Sequence, residues 1–257
     1  MKNKALAFSR QGNIGIITLN RPGSGNAITR QITSELSEIR KEITYGSEIS
    51  VLILTGAGHE AFSTGTDADE YNTIRDREEL LKNFSASGII GSFNRPVIAA
   101  INGRAFGQGL ELALACDLRI SSDKAKFSMD QINKAELPFD GGTQRLPRLI
   151  GRGKALEMIF CGEIINAEEA LEIGLINRIV PEEDLMPEAL KIAGSMAEKG
   201  PIALRYAKEA IYKGMDLTLN QGLLLEADLY FLLHTTKDRT EGITAFREKR
   251  KPRFEGK

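Results

Sequence analysis

The sequence predicts an α/β fold, and three observations carry that prediction. Short apolar runs of strand length alternate with longer stripes of helical period. Glycine-rich turns separate the two kinds of segment. Beyond about Pro181 the strand signals stop and the chain turns almost wholly helical.

The elements follow in order. Ile14 to Leu19 reads as a strand that ends in turn chemistry at Asn20-Arg21-Pro22-Gly23. Thr29 to Tyr45 reads as a helix, with Ile32, Leu36, Ile39 and Ile43 on one stripe. Val51 to Leu54 and Val97 to Ile101 read as buried strands, and Asp117 to Ser121 as a third. Between the last two, Gly107 to Ala115 reads as a helix entered through glycines. Four helical segments close the chain: Glu182 to Lys199, one from Pro201, Leu217 to Leu233, and one after Thr236. The segment Glu70 to Gly91 has no clear period and stays unplaced. Leu223-Leu224-Leu225 and Leu229 to Leu233 make the third closing helix apolar on more than one face. Such a helix needs burial on more than one side, within the core or at a subunit interface.

Composition narrows the function. The chain has 257 residues, and 42% are apolar, enough for a sizeable core. Lys plus Arg number 34 against 35 Asp plus Glu, so a nucleic-acid partner has no electrostatic support. No apolar run approaches membrane-spanning length, and Met1 to Lys4 is followed by no apolar segment. A soluble, cytoplasmic protein without a signal peptide is expected. Cys116 and Cys161 form no CxxC pair, and His59 and His234 are isolated, so no metal site is expected.

Three glycine-rich turns are the candidate binding elements: Phe62 to Asp67, Asn102 to Gly109, and Pro138 to Thr143. Glycine lets backbone approach a ligand and expose its N–H groups, and two such groups aimed at one oxygen make an oxyanion hole. Nucleotide motifs fit poorly. Gly103 to Gly109 is spaced GxxxGxG, and Gly151-Arg152-Gly153-Lys154 is followed by Ala155 where a P-loop needs Ser or Thr.

Six segments, in order, resemble the crotonase (enoyl-CoA hydratase/isomerase) superfamily. Arg95 to Gly103, continued by Gly107-x-Gly109-x-Glu111-Leu112-Ala113-x-x-Cys116-Asp117, resembles its signature. Asn20-Arg21-Pro22 with Asn26-Ala27 resembles its early loop, and Phe62-Ser63-x-Gly65-x-Asp67 its second. Gly141 to Leu146 resembles the third, and the segments Ala167 to Ile176 and Asp238 to Phe246 complete the match.

The resemblance implies a spiral of ββα turns over residues 1–195 and a C-terminal helical oligomerisation region over 196–257. It implies a homotrimer or a hexamer, and an acyl-CoA substrate whose coenzyme A is not a separate cofactor. The oxyanion-hole donors would be the backbone N–H groups of Thr66 and Gln108. Gln108 stands where many members have glycine, which a backbone role tolerates if φ is negative. Thr64, Gly65, Thr66, Asp67, Ala68, Asp69 and Gly109 would contact the substrate. Two glutamates serve hydration in the family. The first matches Glu111, set in an apolar run where an idle charge is costly. The second position holds Gln131, which bonds water but neither takes nor gives a proton. Asp130 lies beside it and Glu136 beyond it. Asp140 is an alternative acid/base, since some members carry an aspartate in this loop, one position earlier, at Phe139 here. It is equally readable as an N-cap before Gly141-Gly142.

The reading is hydration of an enoyl-CoA, or of a conjugated or cyclic dienoyl-CoA. Double-bond isomerisation, C–C cleavage or thioester hydrolysis are the alternatives within the superfamily. A non-catalytic or RNA-binding homologue stands behind them, disfavoured by the mixed charges of Arg30 to Lys41.

Overall fold

The computed structural model describes residues 4–46 and 48–257, with backbone alone at 45 and 46. Residues 1–3, at the start where no signal peptide is expected, lie outside the described residues. The chain opens with a hairpin of β1 (Leu6–Gln11) and β2 (Ile14–Leu19), followed by α1 (Arg30–Gly46). Then come β3 (Val51–Gly56), β4 (Ala61–Ser63) and three short helices, α2 (Ala68–Tyr71), α3 (Arg77–Phe84) and α4 (Ala86–Gly91). The next turn is β5 (Val97–Ile101), β6 (Arg104–Phe106) and α5 (Gln108–Leu114). It is followed by β7 (Leu118–Ser122), β8 (Lys126–Ser128), α6 (Gly142–Ile150) and α7 (Arg152–Cys161). After these come β9 (Ile165–Asn166), α8 (Ala167–Glu172), β10 (Arg178–Val180) and α9 (Leu185–Ala197). Three helices end the chain: α10 (Pro201–Gly214), α11 (Leu219–Leu233) and α12 (Lys237–Arg247).

Two sheets form, ordered β1-β2-β3-β5-β7-β10 and β4-β6-β8-β9. Each repeat gives its first strand to the larger sheet and its second to the smaller, as β3/β4, β5/β6 and β7/β8. This is the expected spiral of ββα turns. Apart from the β1–β2 hairpin, the pairings of the larger sheet are parallel. That explains why β3 and β5 are buried at every position, with Thr55 their one polar side chain: parallel strands buried on both faces need no alternation.

One core fills the space between the sheets and α1, where Ile32, Leu36 and Ile43 are buried as the stripe requires. A second lies on the opposite face of the larger sheet, where Leu185, Ala189 and Ala193 of α9 meet Val51, Ile53 and Ile98. The expected division at 195/196 therefore falls inside a helix that packs on the sheet. The apolar α11 is different: Leu229 is its one buried residue. Leu224 and Phe231 are 67% and 71% exposed, and α10 adds exposed Ile211 and Tyr212.

Candidate active site

Glu111 lies on α5 and is fully buried. Its Oε1 accepts hydrogen bonds from the backbone N–H groups of Asp140 (2.8 Å) and Gly142 (2.7 Å). Its Oε2 accepts from Nε2 of Gln131 at 3.1 Å. The third glycine turn can wrap the carboxylate this closely because residue 142 has no side chain. A Cβ there would sit 2.9 Å from Pro138 Cβ and 3.1 Å from Glu111 Oε1. Burial pushes the Glu111 carboxyl up to about 7, and the nearby Asp140 charge adds to it. The two N–H bonds and Arg145 pull the other way. Both lone pairs of Oε1 are engaged, which leaves Oε2 as the oxygen with room for a proton.

Gln131 is buried and turns its Nε2 to that carboxylate. Its Oε1 is buried without a partner among the described residues. A free acceptor beside a carboxylate oxygen is a place where a water can be held by both.

The first two glycine turns abut. A Cβ built on Gly65 would lie 3.5 Å from the Gln108 nitrogen. Gln108 opens α5, so its N–H has no partner inside the helix. Neither the Thr66 nor the Gln108 N–H donates to a backbone carbonyl among the described turns and loops. Gln108 is absent from the non-glycine residues with positive φ, which meets the condition for a side chain at this position. Gly109 serves packing: a Cβ there would lie 2.2 Å from Ser63 O, so only glycine lets α5 start against the end of β4.

The rest of the second loop is tied mainly to its own fold. Thr64 donates its N–H and its hydroxyl to Gly25 O. Asp67 caps α2 through Glu70 N and pairs with Arg21 at 3.1 Å. Ala68 and Asp69, in the first turn of α2, are exposed. Asn26 holds the early loop from a left-handed backbone at φ 55°, with its amide bonded to Arg21 N, Ala57 O and Ala61 O.

Asp140 does not cap the helix that follows it: the N-cap of α6 is Gly141, which makes no side-chain cap bond. Its carboxylate instead reaches the start of α4, accepting from Ser85 Oγ (3.0 Å) and Ser87 N (2.8 Å). It also accepts from Gln108 Nε2 (3.1 Å). An aromatic group absent from the sequence reading stands beside these acids. Tyr71 stacks on Phe139 and meets Phe84 edge-on. Burial raises the Tyr71 hydroxyl, and the charges of Glu136 and Glu111 raise it further.

Comparison with known proteins identifies the family. Residues 9–257 match the family model described as enoyl-CoA hydratase/isomerase. A crotonyl-CoA hydratase of Syntrophomonas wolfei is 37% identical over 99% of both chains. A short-chain-enoyl-CoA hydratase of Clostridium acetobutylicum is 37% identical, covering 98% of this chain and 97% of its own. A crystal structure of an enoyl-CoA hydratase from Bacillus anthracis superposes with a TM-score of 0.94 at 40% identity, over 98% of this chain and 100% of that one. With a full-length family match, full-length relatives and the same fold, the chain belongs to the enoyl-CoA hydratase/isomerase family.

Proposed function

We propose that this protein hydrates an enoyl-CoA with a single carboxylate, Glu111, as its proton carrier. The observation that carries the reading is the buried Glu111 carboxyl, at about 7, beside the free Oε1 of Gln131. The thioester oxygen sits on the N–H groups of Thr66 and Gln108. A water is held between Glu111 Oε2 and Gln131 Oε1. As its oxygen bonds to the β-carbon, the water gives a proton to Oε2. The C=C electron pair moves toward the thioester, and the two N–H groups carry the charge on the enolate oxygen. Oε2 then returns the proton to the α-carbon. One water is consumed and no charge is left over. Gln131 orients water, Asp140 holds the third loop, and no cofactor or metal enters the scheme.

The hydratase names of full-length relatives support this reaction over isomerisation or hydrolysis. Mass detection after incubation with straight, branched and cyclic enoyl-CoAs tests it. A gain of one water is expected. Release of free coenzyme A, or a change in retention without a change in mass, would replace hydration by hydrolysis or isomerisation.

A homotrimer or hexamer is the assembly we favour, supported by the exposed apolar residues of α10 and α11. Light scattering on the wild type and on Phe231→Glu tests it. A monomeric wild type would end the idea. The substrate is a charged, water-soluble thioester, and we place the reaction in the cytoplasm.

A further inference from the structure

The side chain of Gln108 uses all its polar groups inside the protein. It is 1% exposed. Its Oε1 accepts from the Thr66 hydroxyl at 2.9 Å. Its Nε2 donates to the Phe84 carbonyl and, at 3.1 Å, to Asp140 Oδ2. Three segments therefore meet on one amide: the second loop at Thr66, the end of α3 at Phe84, and the third glycine turn at Asp140. Two of them bear on the chemistry. Thr66 supplies the other N–H of the proposed oxyanion hole, and the Asp140 N–H holds Oε1 of Glu111.

We propose that the Gln108 side chain is a positioning group that clasps the two halves of the oxyanion hole together and fixes them relative to Glu111. The proposal rests on the reading that the Thr66 and Gln108 N–H groups receive the thioester oxygen. Its physical basis is preorganisation. Donors stabilise a developing charge fully only when they need not move to meet it. A glycine at 108 would leave the hole to the backbone alone, and would take a donor from Phe84 O and Asp140 Oδ2. The Thr66 hydroxyl has one proton, and it is given to Gln108 rather than to a ligand.

The clasp is tested without touching either N–H group. Thr66→Val removes the hydroxyl and keeps the shape, and Gln108→Ala removes the amide. Three quantities are read: kcat and KM with crotonyl-CoA, affinity for acetoacetyl-CoA, and affinity for butyryl-CoA. Bound acetoacetyl-CoA as its enolate places negative charge on the oxygen, whereas butyryl-CoA stays neutral. Thr66→Val is expected to lower kcat about tenfold with KM within about twofold, and to weaken acetoacetyl-CoA by a like factor while butyryl-CoA binds unchanged. Adding Thr66→Val to Gln108→Ala should cost little more, because the two remove the same bond. Unchanged kcat and acetoacetyl-CoA affinity in Thr66→Val would overturn the clasp, as would equal weakening of both ligands. A wild type that hydrates no enoyl-CoA, yet prefers acetoacetyl-CoA and loses that preference in Thr66→Val, would keep the clasp and overturn the hydratase reading. A wild type that binds neither thioester would overturn both.

Discussion

Glu111 and Asp140 are buried carboxylates joined through one peptide group, yet their surroundings give them opposite characters. The N–H of Asp140 holds Glu111, while the Asp140 side chain turns away to Ser85, Ser87 and Gln108. Each Asp140 oxygen has a donor, and one of those donors is the first turn of α4. Glu111 has its two N–H bonds on one oxygen, leaving Oε2 with a single neutral donor in a fully buried setting. Burial alone does not make an acid/base group. What matters is whether the surroundings leave one oxygen short of donors and the carboxyl near neutrality.

The largest expected effect follows from removing the charge at Glu111. Glu111→Gln should lower kcat by about two to four orders of magnitude, the usual loss of a general acid/base. Substrate affinity should change little, since the amide keeps the shape. Activity of the wild type should fall as pH drops through about 7, because protonated Oε2 cannot take a proton from water.

Stability should move the other way. Below pH about 4.5 the carboxyl is protonated folded and unfolded, and it costs nothing. Between about 4.5 and 7 only the unfolded chain ionises, so stability falls as pH rises. Above 7 the full cost applies, about 3 kcal/mol from a shift of 4.5 to about 7. Glu111→Gln should therefore raise the melting temperature at pH 8 and leave it nearly unchanged near pH 4. The free Oε1 of Gln131 makes this possible: its amide turns over and accepts from the new side-chain nitrogen. Melting curves at both pH values check it, and a variant less stable at pH 8 would contradict the burial argument.

Much of this was legible in the sequence. The four long strands β2, β3, β5 and β7, with α1 and α5, carry strong patterns, and the helical tail stands where expected. The strands β4, β6, β8, β9 and β10 span three residues or fewer, too few for any period to show. The segment Glu70 to Gly91 stays unplaced because its helices are short, yet their starts are marked. Asp67 with Glu70 and Asp76 with Glu79 are both N-cap pairs, and each aspartate accepts the backbone N–H three residues on. Reading those pairs would have placed Tyr71 and Phe84 on helices. The direction of the Asp140 side chain was not legible, because its partners Ser85 and Ser87 are more than fifty residues away in sequence.

Gln131 offers a middle-sized test of the same comparison. Gln131→Leu removes the donor to Oε2 and the acceptor for water while keeping volume. Turnover should fall about ten- to a hundredfold, between a lost hydrogen bond and a lost proton carrier. The pH midpoint of activity should rise, because the charged form of Glu111 loses a donor. A midpoint that stays in place would mean that Gln131 does not touch Glu111 in solution.

Asp140→Asn is the smallest expected effect and the sharpest on the comparison. Removing the Asp140 charge removes one of the causes that raise Glu111, so the pH midpoint of activity should fall, opposite to Gln131→Leu. Asparagine with its oxygen in the place of Oδ2 still accepts from Ser87 N and Gln108 Nε2, and its NH₂ meets the Ser85 hydroxyl, which rotates to accept. Every partner of the side chain is kept, so the melting temperature should change little. Turnover on the high-pH plateau should fall by less than about tenfold, since the Asp140 N–H that holds Glu111 survives the substitution. A proton-transfer residue would behave otherwise: plateau turnover would drop by more than that, whatever the midpoint does. Rate–pH profiles of the two variants side by side decide the matter. Opposite shifts of the midpoint with the plateau largely kept place Asp140 behind Glu111 as its anchor, and a large plateau loss in Asp140→Asn places it in the chemistry.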